Sequence, residues 1–311
     1  MKFENRFLIV IIGAVALYAI FLIMSDFNKV YEKFSDFQFE YLPIILSLVF
    51  TSWFVIFLRW NLLLRFSGIR IPIRQNFLIY LTSFALTILP GKVGELIKSQ
   101  LLKNKFGIAR KTTVPIILVE QFYTVIGITA VSFLGIWFFE LGAYIIIISA
   151  ILLIGVFVLI SSKSIFNKFL ITTNKIKFLS RFTAQLPDSY DIIKKATRGK
   201  IFVYASFLSS AFWLIEALEV YFVLLSFGIE HLEFLNMITT YTASIILGVA
   251  SFLPLGIGVV EGSLTGFLVL QGIDVSVALT LVVVVRIFTR WISVSVGFIA
   301  IKLVGGLSEK N

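Results

Sequence analysis

Long apolar runs alternate with short polar segments along almost the whole chain. The runs have approximate limits of 7–24, 42–58, 75–90, 113–139, 142–160, 201–226, 236–272 and 276–301. A helix needs about 20 apolar residues to cross a bilayer, so most of these runs predict membrane spans. The pattern therefore predicts an all-α, polytopic membrane protein.

The polar segments between the runs differ in charge. Segments 59–74, 98–111 and 161–200 are rich in Lys and Arg, and the first two contain no acidic residue. The segments on the other side carry most of the remaining acids: Asp26, Glu32, Asp36, Glu40, Glu140, Glu230, Glu233 and Asp274. Basic loops of membrane proteins lie in the cytoplasm. We therefore expect a multi-pass protein of the plasma membrane with both termini in the cytoplasm.

This assignment places both ends of run 75–90, and both ends of run 236–272, on one side of the membrane. Each of these runs is thus predicted to enter and return as a re-entrant broken-helix hairpin. The other runs give about six full spans. Non-helical backbone at membrane depth is tolerated only inside protein or beside water, so the two turns should lie in a protein-lined cavity.

A motif at the two predicted turns supports the hairpins. It reads Leu-Pro-Gly-Lys-Val-Gly-Glu over residues 89–95 and Leu-Pro-Leu-Gly-Ile-Gly-Val-Val-Glu over residues 253–261. Pro cannot continue a helix, and Gly lets backbones approach closely. The residues expected to form the structural turns are Pro90, Gly91, Gly94, Pro254, Gly256 and Gly258.

The order of span, hairpin and span occurs twice in a single transmembrane domain, 1–311. Unit one covers about 42–139 and unit two about 201–301, with opposite predicted directions. This is an inverted-topology repeat, a common construction of secondary transporters. Segment 161–200 reads either as a basic amphipathic helix on an anionic leaflet or as a plain cytoplasmic loop.

The composition of the chain excludes several kinds of functional site. Hydrophobic residues make up 59% of the chain, Cys is absent and His occurs once. A thiolate nucleophile, a disulfide framework and a His-based metal cluster are therefore excluded. We expect no catalytic residue, metal or cofactor, and no enzyme. The net charge is +10, and the basic residues lie in loops beside the spans. This distribution indicates anionic lipid rather than nucleic acid as the partner.

Charged residues that we expect to lie within the membrane are the candidate functional residues: Lys92, Glu95, Glu120, Glu216, Glu219, Glu261, Arg286 and Arg290. Each costs roughly 2.5–3.5 kcal/mol at the centre of a membrane helix. Such a set indicates a polar interior. Six of these eight residues form the predicted substrate-binding set: Lys92, Glu95, Glu120, Glu261, Arg286 and Arg290.

Glu95 and Glu261 follow the turns and therefore stand at the start of a helix. Each can cap that helix, or orient the turn while free N–H groups and Lys92 bind an anionic head group. The two roles are compatible.

Glu120 and Arg286 occupy equivalent positions of the two units, within Val-Glu-Gln-Phe and Val-Arg-Ile-Phe. Equivalent positions approach each other across the axis of an inverted repeat, so we predict a Glu120–Arg286 ion pair. Arg290 shares the helix face of Arg286, and two Arg side chains suit a phosphate. The alternative is a static salt bridge that holds the fold.

Glu216 and Glu219 lie three residues apart on one helix face. They can form a proton-coupling site, because burial favours the protonated carboxyl group. They can equally be partners of Arg286 or Arg290.

The paired motifs, the Val-Glu120 span, Arg59-Trp60 and Arg286 together resemble the transmembrane region of the lysylphosphatidylglycerol synthase/flippase family. The resemblance extends over nearly the whole chain. Synthase members carry a soluble aminoacyl-transfer domain after this region, and this chain stops at Asn311. The resemblance therefore implies a stand-alone, flippase-like protein. Lys92 stands where the family commonly has Arg, which keeps the charge and loses the bidentate fork.

The sequence thus favours a lipid flippase that moves a phospholipid or lipid-linked anionic head group between leaflets. Two alternatives remain, an ion-coupled small-solute transporter and a membrane scaffold for a separate synthase or glycosyltransferase. Anionic membrane lipids are the expected partners. A homo-oligomer and a separately encoded synthase or glycosyltransferase stay open as further partners.

Overall fold

The computed structural model describes residues 35–89, 94–174 and 190–305. Within these ranges the regular elements are all helical. This confirms the all-α polytopic architecture. The apolar run 7–24 and the turn residues Pro90, Gly91 and Lys92 lie outside the described residues.

The described residues form twelve α-helices in chain order. We number them α1 (Leu42–Phe66), α2 (Ile73–Ala85), α3 (Ile97–Phe106), α4 (Arg110–Ser132), α5 (Glu140–Ser161), α6 (Lys163–Asn174), α7 (Tyr190–Ala196), α8 (Gly199–Ser226), α9 (Phe234–Ala250), α10 (Val259–Leu270), α11 (Val275–Arg286) and α12 (Ile292–Val304). Short 3₁₀ segments cover Phe39–Tyr41, Leu86–Ile88, Phe133–Gly135 and Pro254–Gly256, and a π-helix covers Ile287–Trp291.

Within the described residues, five helical segments are long and apolar enough to cross a membrane: Phe39–Phe66, Arg110–Gly135, Glu140–Ser161, Gly199–Ser226 and Val275–Val304. They correspond to the predicted spans that fall within the described residues. Only 11% of the most apolar 18-residue stretch of α5 is buried inside the protein. This helix therefore presents most of its surface to lipid.

The two predicted hairpins are present as pairs of shorter helices. Helices α2 and α3 have 13 and 10 residues, or about 20 and 15 Å of length. Helices α9 and α10 have 17 and 12 residues. In each pair the helices pack against each other, and the 3₁₀ segments at the two breaks, Leu86–Ile88 and Pro254–Gly256, are in contact. The breaks of the two hairpins thus meet inside the bundle.

Packing follows the same scheme in both units. The first long helices, α1 and α8, pack together along an extensive interface. The first hairpin helix of each unit packs against the last span of the other, α2 against α12 and α9 against α4. Each hairpin thus contacts the opposite unit through its first helix.

Two elements differ from their predicted limits. Helix α1 continues through Arg59 to Phe66, so the predicted loop 59–74 begins later than the charge pattern indicated. Arg59 does not end the helix because its side chain is buried among partners inside the protein. The last span is interrupted by the π-helix Ile287–Trp291, between Arg286 and Arg290. Such interruptions are frequent at functional sites.

Segment 161–200 is helical where it is described. Helix α6 buries Phe166 and Leu170, four residues apart, while its lysines remain exposed. Phe166 packs against Tyr190 of α7, with ring centroids 5.1 Å apart. Phe166 and Leu170 thus form the buried face of α6.

Close backbone contact joins α12 to α2. A Cβ atom at Gly297 would lie 2.2 Å from the backbone nitrogen of Ala85. Small residues at such crossings let membrane helices pack tightly. By contrast, a Cβ atom at Gly266 of α10 would meet nothing within 4 Å.

We expect Gly297→Ala to destabilise the protein by about 1–3 kcal/mol, because the backbone of α2 must move to admit the methyl group. The matched control Gly266→Ala should leave stability unchanged or slightly raised, since Ala is the better helix former. Thermal unfolding of both purified variants in the same detergent measures the difference. Equal unfolding temperatures would contradict the close crossing of α2 and α12.

Candidate functional site

A cavity of about 410 Å³ lies where the two hairpin breaks meet. Both units contribute to its wall, through α1, α2 and α4 on one side and α8, α9 and the last span on the other. Its charged lining residues are Arg59, Glu95, Glu120, Glu216, Arg286 and Arg290. Among the described residues, the predicted charges Glu95, Glu120, Glu216, Arg286 and Arg290 are thus brought to one site.

In unit one the acids are neutralised by Lys98. Its Nζ atom lies 2.6 Å from Glu95 Oε2 and 2.6 Å from Glu120 Oε2. The ammonium also stands over the rings of Trp60 and Tyr80, 4.5 and 4.8 Å from their centroids. Since Lys98 is fully buried, its charge is offset by these groups rather than by water.

Arg59 is the second cation of unit one. Its Nη2 atom lies 3.5 Å from Glu120 Oε1, and it donates hydrogen bonds to Thr124 Oγ1 (3.0 Å) and, through Nη1, to Ser209 Oγ (2.7 Å). These partners lie on α4 and α8. Arg59 therefore ties the first helix of unit one to both neighbours.

In unit two Arg286 holds the hairpin turn. Its Nε atom donates to Glu261 Oε1 (2.7 Å) and its Nη2 atom to the carbonyl of Leu255 (2.7 Å). Glu261 Oε2 accepts the N–H of Gly258 (2.7 Å), at the first turn of α10. The capping interpretation of Glu261 is thereby confirmed, and the same carboxylate pairs with Arg286.

The backbone of this turn is strained. Phe252 and Leu255 have φ angles of 56° and 52°, which are uncommon for residues other than Gly. Such residues cost of order 1–3 kcal/mol each and persist when their surroundings hold them. The hydrogen bond that Arg286 donates to the carbonyl of Leu255 helps to hold the backbone in this conformation.

Arg290 forms the remaining ion pair of the cavity. Its Nη1 and Nη2 atoms donate to Glu216 Oε1 (2.7 Å) and Oε2 (3.3 Å). Tyr241 also donates to Glu216 Oε2, at 2.9 Å. Of the two partners that the sequence left open, Arg290 is therefore the one that binds Glu216. Glu219 is buried one turn farther along α8, and its Oε1 atom has no hydrogen-bond partner among the described residues.

The predicted Glu120–Arg286 ion pair is wrong. Glu120 pairs with Lys98 and Arg59 of its own unit, and Arg286 pairs with Glu261 of its own unit. Each buried charge has found a partner on the neighbouring hairpin, so the repeat interface does not need this pair. Both side chains do line the same cavity.

Sequence reasoning missed Arg59 and Lys98, which it counted among cytoplasmic loop charges. A signal for Lys98 was present, because it follows Glu95 by three residues and so shares its helix face. The turns themselves are described in part. A Cβ atom at Gly94 would lie 1.8 Å from the carbonyl oxygen of Leu86, so only Gly fits there.

Residues 9–297 of the chain match the family model of the lysylphosphatidylglycerol synthase TM region. A UPF0104 membrane protein of Methanocaldococcus jannaschii is 25% identical over 234 residues, which cover 71% of this chain and 94% of the relative. One from Methanothermobacter thermautotrophicus is 23% identical over 338 aligned residues, covering 100% and 98%. A further similarity to a Methanothermobacter thermautotrophicus UPF0104 membrane protein reaches 34% identity over 101 residues, or 32% of this chain and 29% of the relative.

We expect Lys98→Met to cost about 3–5 kcal/mol of stability, because it leaves buried acids short of a cation. At roughly 2–4 °C per kcal/mol, the unfolding temperature should fall by about 10 °C. Lys103→Met, at an exposed site on the same helix, is the matched control. The double variant Lys98→Met/Glu120→Gln should recover part of the loss. Equal unfolding temperatures for Lys98→Met and Lys103→Met would contradict the bridging role.

Proposed function

The chain belongs to the lysylphosphatidylglycerol synthase transmembrane-region family, and we propose that it moves the head group of a phospholipid, or of another lipid-linked anion, between membrane leaflets. The matched relatives bear names that say only that they are membrane proteins. The proposal therefore depends on the chemistry of the cavity.

The observation that carries the proposal is the charged cavity at the meeting point of the two hairpin breaks. Its wall combines three Arg and three Glu side chains with aromatic and aliphatic ones. Charges at membrane depth commonly mark a substrate pathway. Broken helices in corresponding positions of two units are also typical of transport sites.

The rim of the cavity favours a lipid over a soluble solute. Val249, Phe252 and Leu253 line the cavity and are 42%, 77% and 43% exposed. In a membrane protein, exposed apolar side chains face acyl chains. A head group can therefore occupy the charged interior while its acyl chains remain in the bilayer.

Two Arg side chains are available for a phosphate. The side chain of Arg290 lines the cavity and is 20% exposed. The Nη1 atom of Arg286 is buried and has no hydrogen-bond partner among the described residues. A guanidinium binds a phosphate through two parallel hydrogen bonds, which fits an anionic head group. Arg286 would add its contact while it continues to hold the turn.

The proposed transport needs no bond to be made or broken. The ion pairs of Glu120 and Glu261 would hold the two hairpins to their neighbouring spans, and movement of one unit against the other would open the cavity to each leaflet in turn. With unit two inverted and both termini in the cytoplasm of a cell-membrane protein, the two hairpins would enter from opposite sides. This arrangement supports alternating access around a fixed site.

We expect Val125→Trp to reduce lipid exchange at least tenfold, because Val125 lines the cavity and the larger ring would fill it. The control is Val158→Trp, at an exposed position of α5. Exchange of fluorescently labelled anionic and zwitterionic lipids is measured in liposomes that contain the purified full chain. Exchange by the wild-type protein that Val125→Trp leaves intact would place the pathway elsewhere, and no exchange of any lipid by folded wild-type protein would overturn the function.

Arg290→Lys should lower the exchange of anionic lipid about tenfold, because a lysine keeps the charge and loses one charge-assisted hydrogen bond, worth roughly 1.4 kcal/mol. The same substitution at exposed Arg110 is the control. The reduction should be smaller for a zwitterionic lipid. Unchanged exchange by both Arg290→Lys and Arg290→Gln would remove Arg290 from the head-group site.

A further inference from the structure

Glu219 has no place in the transport site described above, although it is buried beside it. It lies three residues after Glu216 on α8, or about 4.5 Å along the helix axis. It is 1% exposed, and it is absent from the cavity lining. Its position is therefore next to the head-group space and separated from it by one helical turn.

The hydrogen bonds of this cluster are divided unequally between the two acids. Glu216 accepts hydrogen bonds from Nη1 and Nη2 of Arg290 and from the hydroxyl of Tyr241. Glu219 Oε1 receives no hydrogen bond from the described residues. An ionised carboxylate that is buried with an oxygen unpaired is strongly disfavoured. The unpaired, buried oxygen therefore makes Glu219 the candidate for binding a proton.

In the part of the chain that the structure describes, the cations near Glu219 are ion-paired with other acids. Glu216 on the same helix, Arg290 on the π-helix and Tyr241 on α9 are the groups that act on it. The helices that pack around α8 also carry Arg59, Glu120 and Arg286, and each of these is held by its own partners. The charge of Arg290 is already offset by Glu216.

We propose that Glu219 is a proton-binding site and that a proton and an anionic head group bind together. With Glu219 neutral, Arg290 and Glu216 sum to zero, and a phosphate at Arg290 brings the cluster to −1. With Glu219 ionised the same complex would carry −2 in a low-dielectric site. Head-group binding therefore strengthens proton binding, and the reverse holds by linkage.

This inference rests on the proposed lipid movement and makes it proton-coupled. A proton would enter from the acidic side, reside on the Glu219 carboxyl group while the head group crosses, and leave on the alkaline side. One proton and one monoanionic head group carry no net charge together. The coupled step is therefore driven by a pH gradient and is insensitive to membrane potential.

The test measures the steady-state leaflet distribution of a labelled phosphatidylglycerol in liposomes that contain the full chain, under a pH gradient of one unit. Wild-type protein should enrich the lipid in the leaflet on the alkaline side by up to about tenfold, the limit for one proton per lipid. Setting the membrane potential with potassium and valinomycin should not change this ratio. A wild-type ratio of one in protein that does exchange lipid would overturn the coupling while the proposed function stands.

The variant Glu219→Gln should bring the ratio to one, and Glu219→Asp should restore enrichment. The control is Glu140→Gln, at an exposed acid whose partner is Tyr144 of the same helix. Enrichment by Glu219→Gln equal to that of wild-type protein would overturn the assignment. So would the absence of enrichment in both Glu219 variants when both exchange lipid.

A second measurement does not depend on transport. Infrared spectra of the full chain in lipid should show the carbonyl band of a protonated carboxyl group at neutral pH, and Glu219→Gln should remove it. A spectrum that Glu219→Gln leaves unchanged would overturn the proton site, whether or not lipid moves. The band with no lipid movement would retain the proton site and reject the proposed function.

Discussion

The structure depends on the neutralisation of charges buried at membrane depth. Each unit ties its hairpin to its last span by an ion pair, Glu261 with Arg286 in unit two and Glu95 with Glu120 through Lys98 in unit one. A buried charge without a partner is far more costly than the pair. Irregular backbone is not tolerated in lipid, and these pairs hold the hairpins against the spans that line the cavity.

The two units join their long helices by ion pairs of opposite polarity. The first and last long helices of unit one are joined by Arg59 and Glu120, and those of unit two by Glu216 and Arg290. At the equivalent positions 120 and 286 one unit carries an acid and the other a base. A hairpin acid can pair directly with Arg286, whereas it would repel Glu120. Lys98 supplies the cation that unit one lacks at that position.

The fold could be predicted largely from the sequence, because apolar runs, loop charges and the repeated Leu-Pro motif each reflect a strong local constraint. The site could be predicted only in part. The buried charges inside the runs were identified, since charge in an apolar run is conspicuous. Arg59 and Lys98 lie near the ends of apolar runs, where Lys and Arg are normally interpreted as loop charges that set the membrane topology. Their burial is a consequence of tertiary packing, against Ser209 for Arg59 and between Trp60 and Tyr80 for Lys98.

The sequence could not determine which charged side chains pair with each other. The repeat placed Glu120 opposite Arg286, but symmetry says which positions are equivalent and not which side chains lie within hydrogen-bond reach. Competition among nearby charges decides which side chains pair. A partner on the adjacent hairpin is held in place by the turn of that hairpin. Arg286 illustrates this, because it binds Glu261 and the carbonyl of the strained Leu255 together. The residue that holds the turn therefore also lines the cavity.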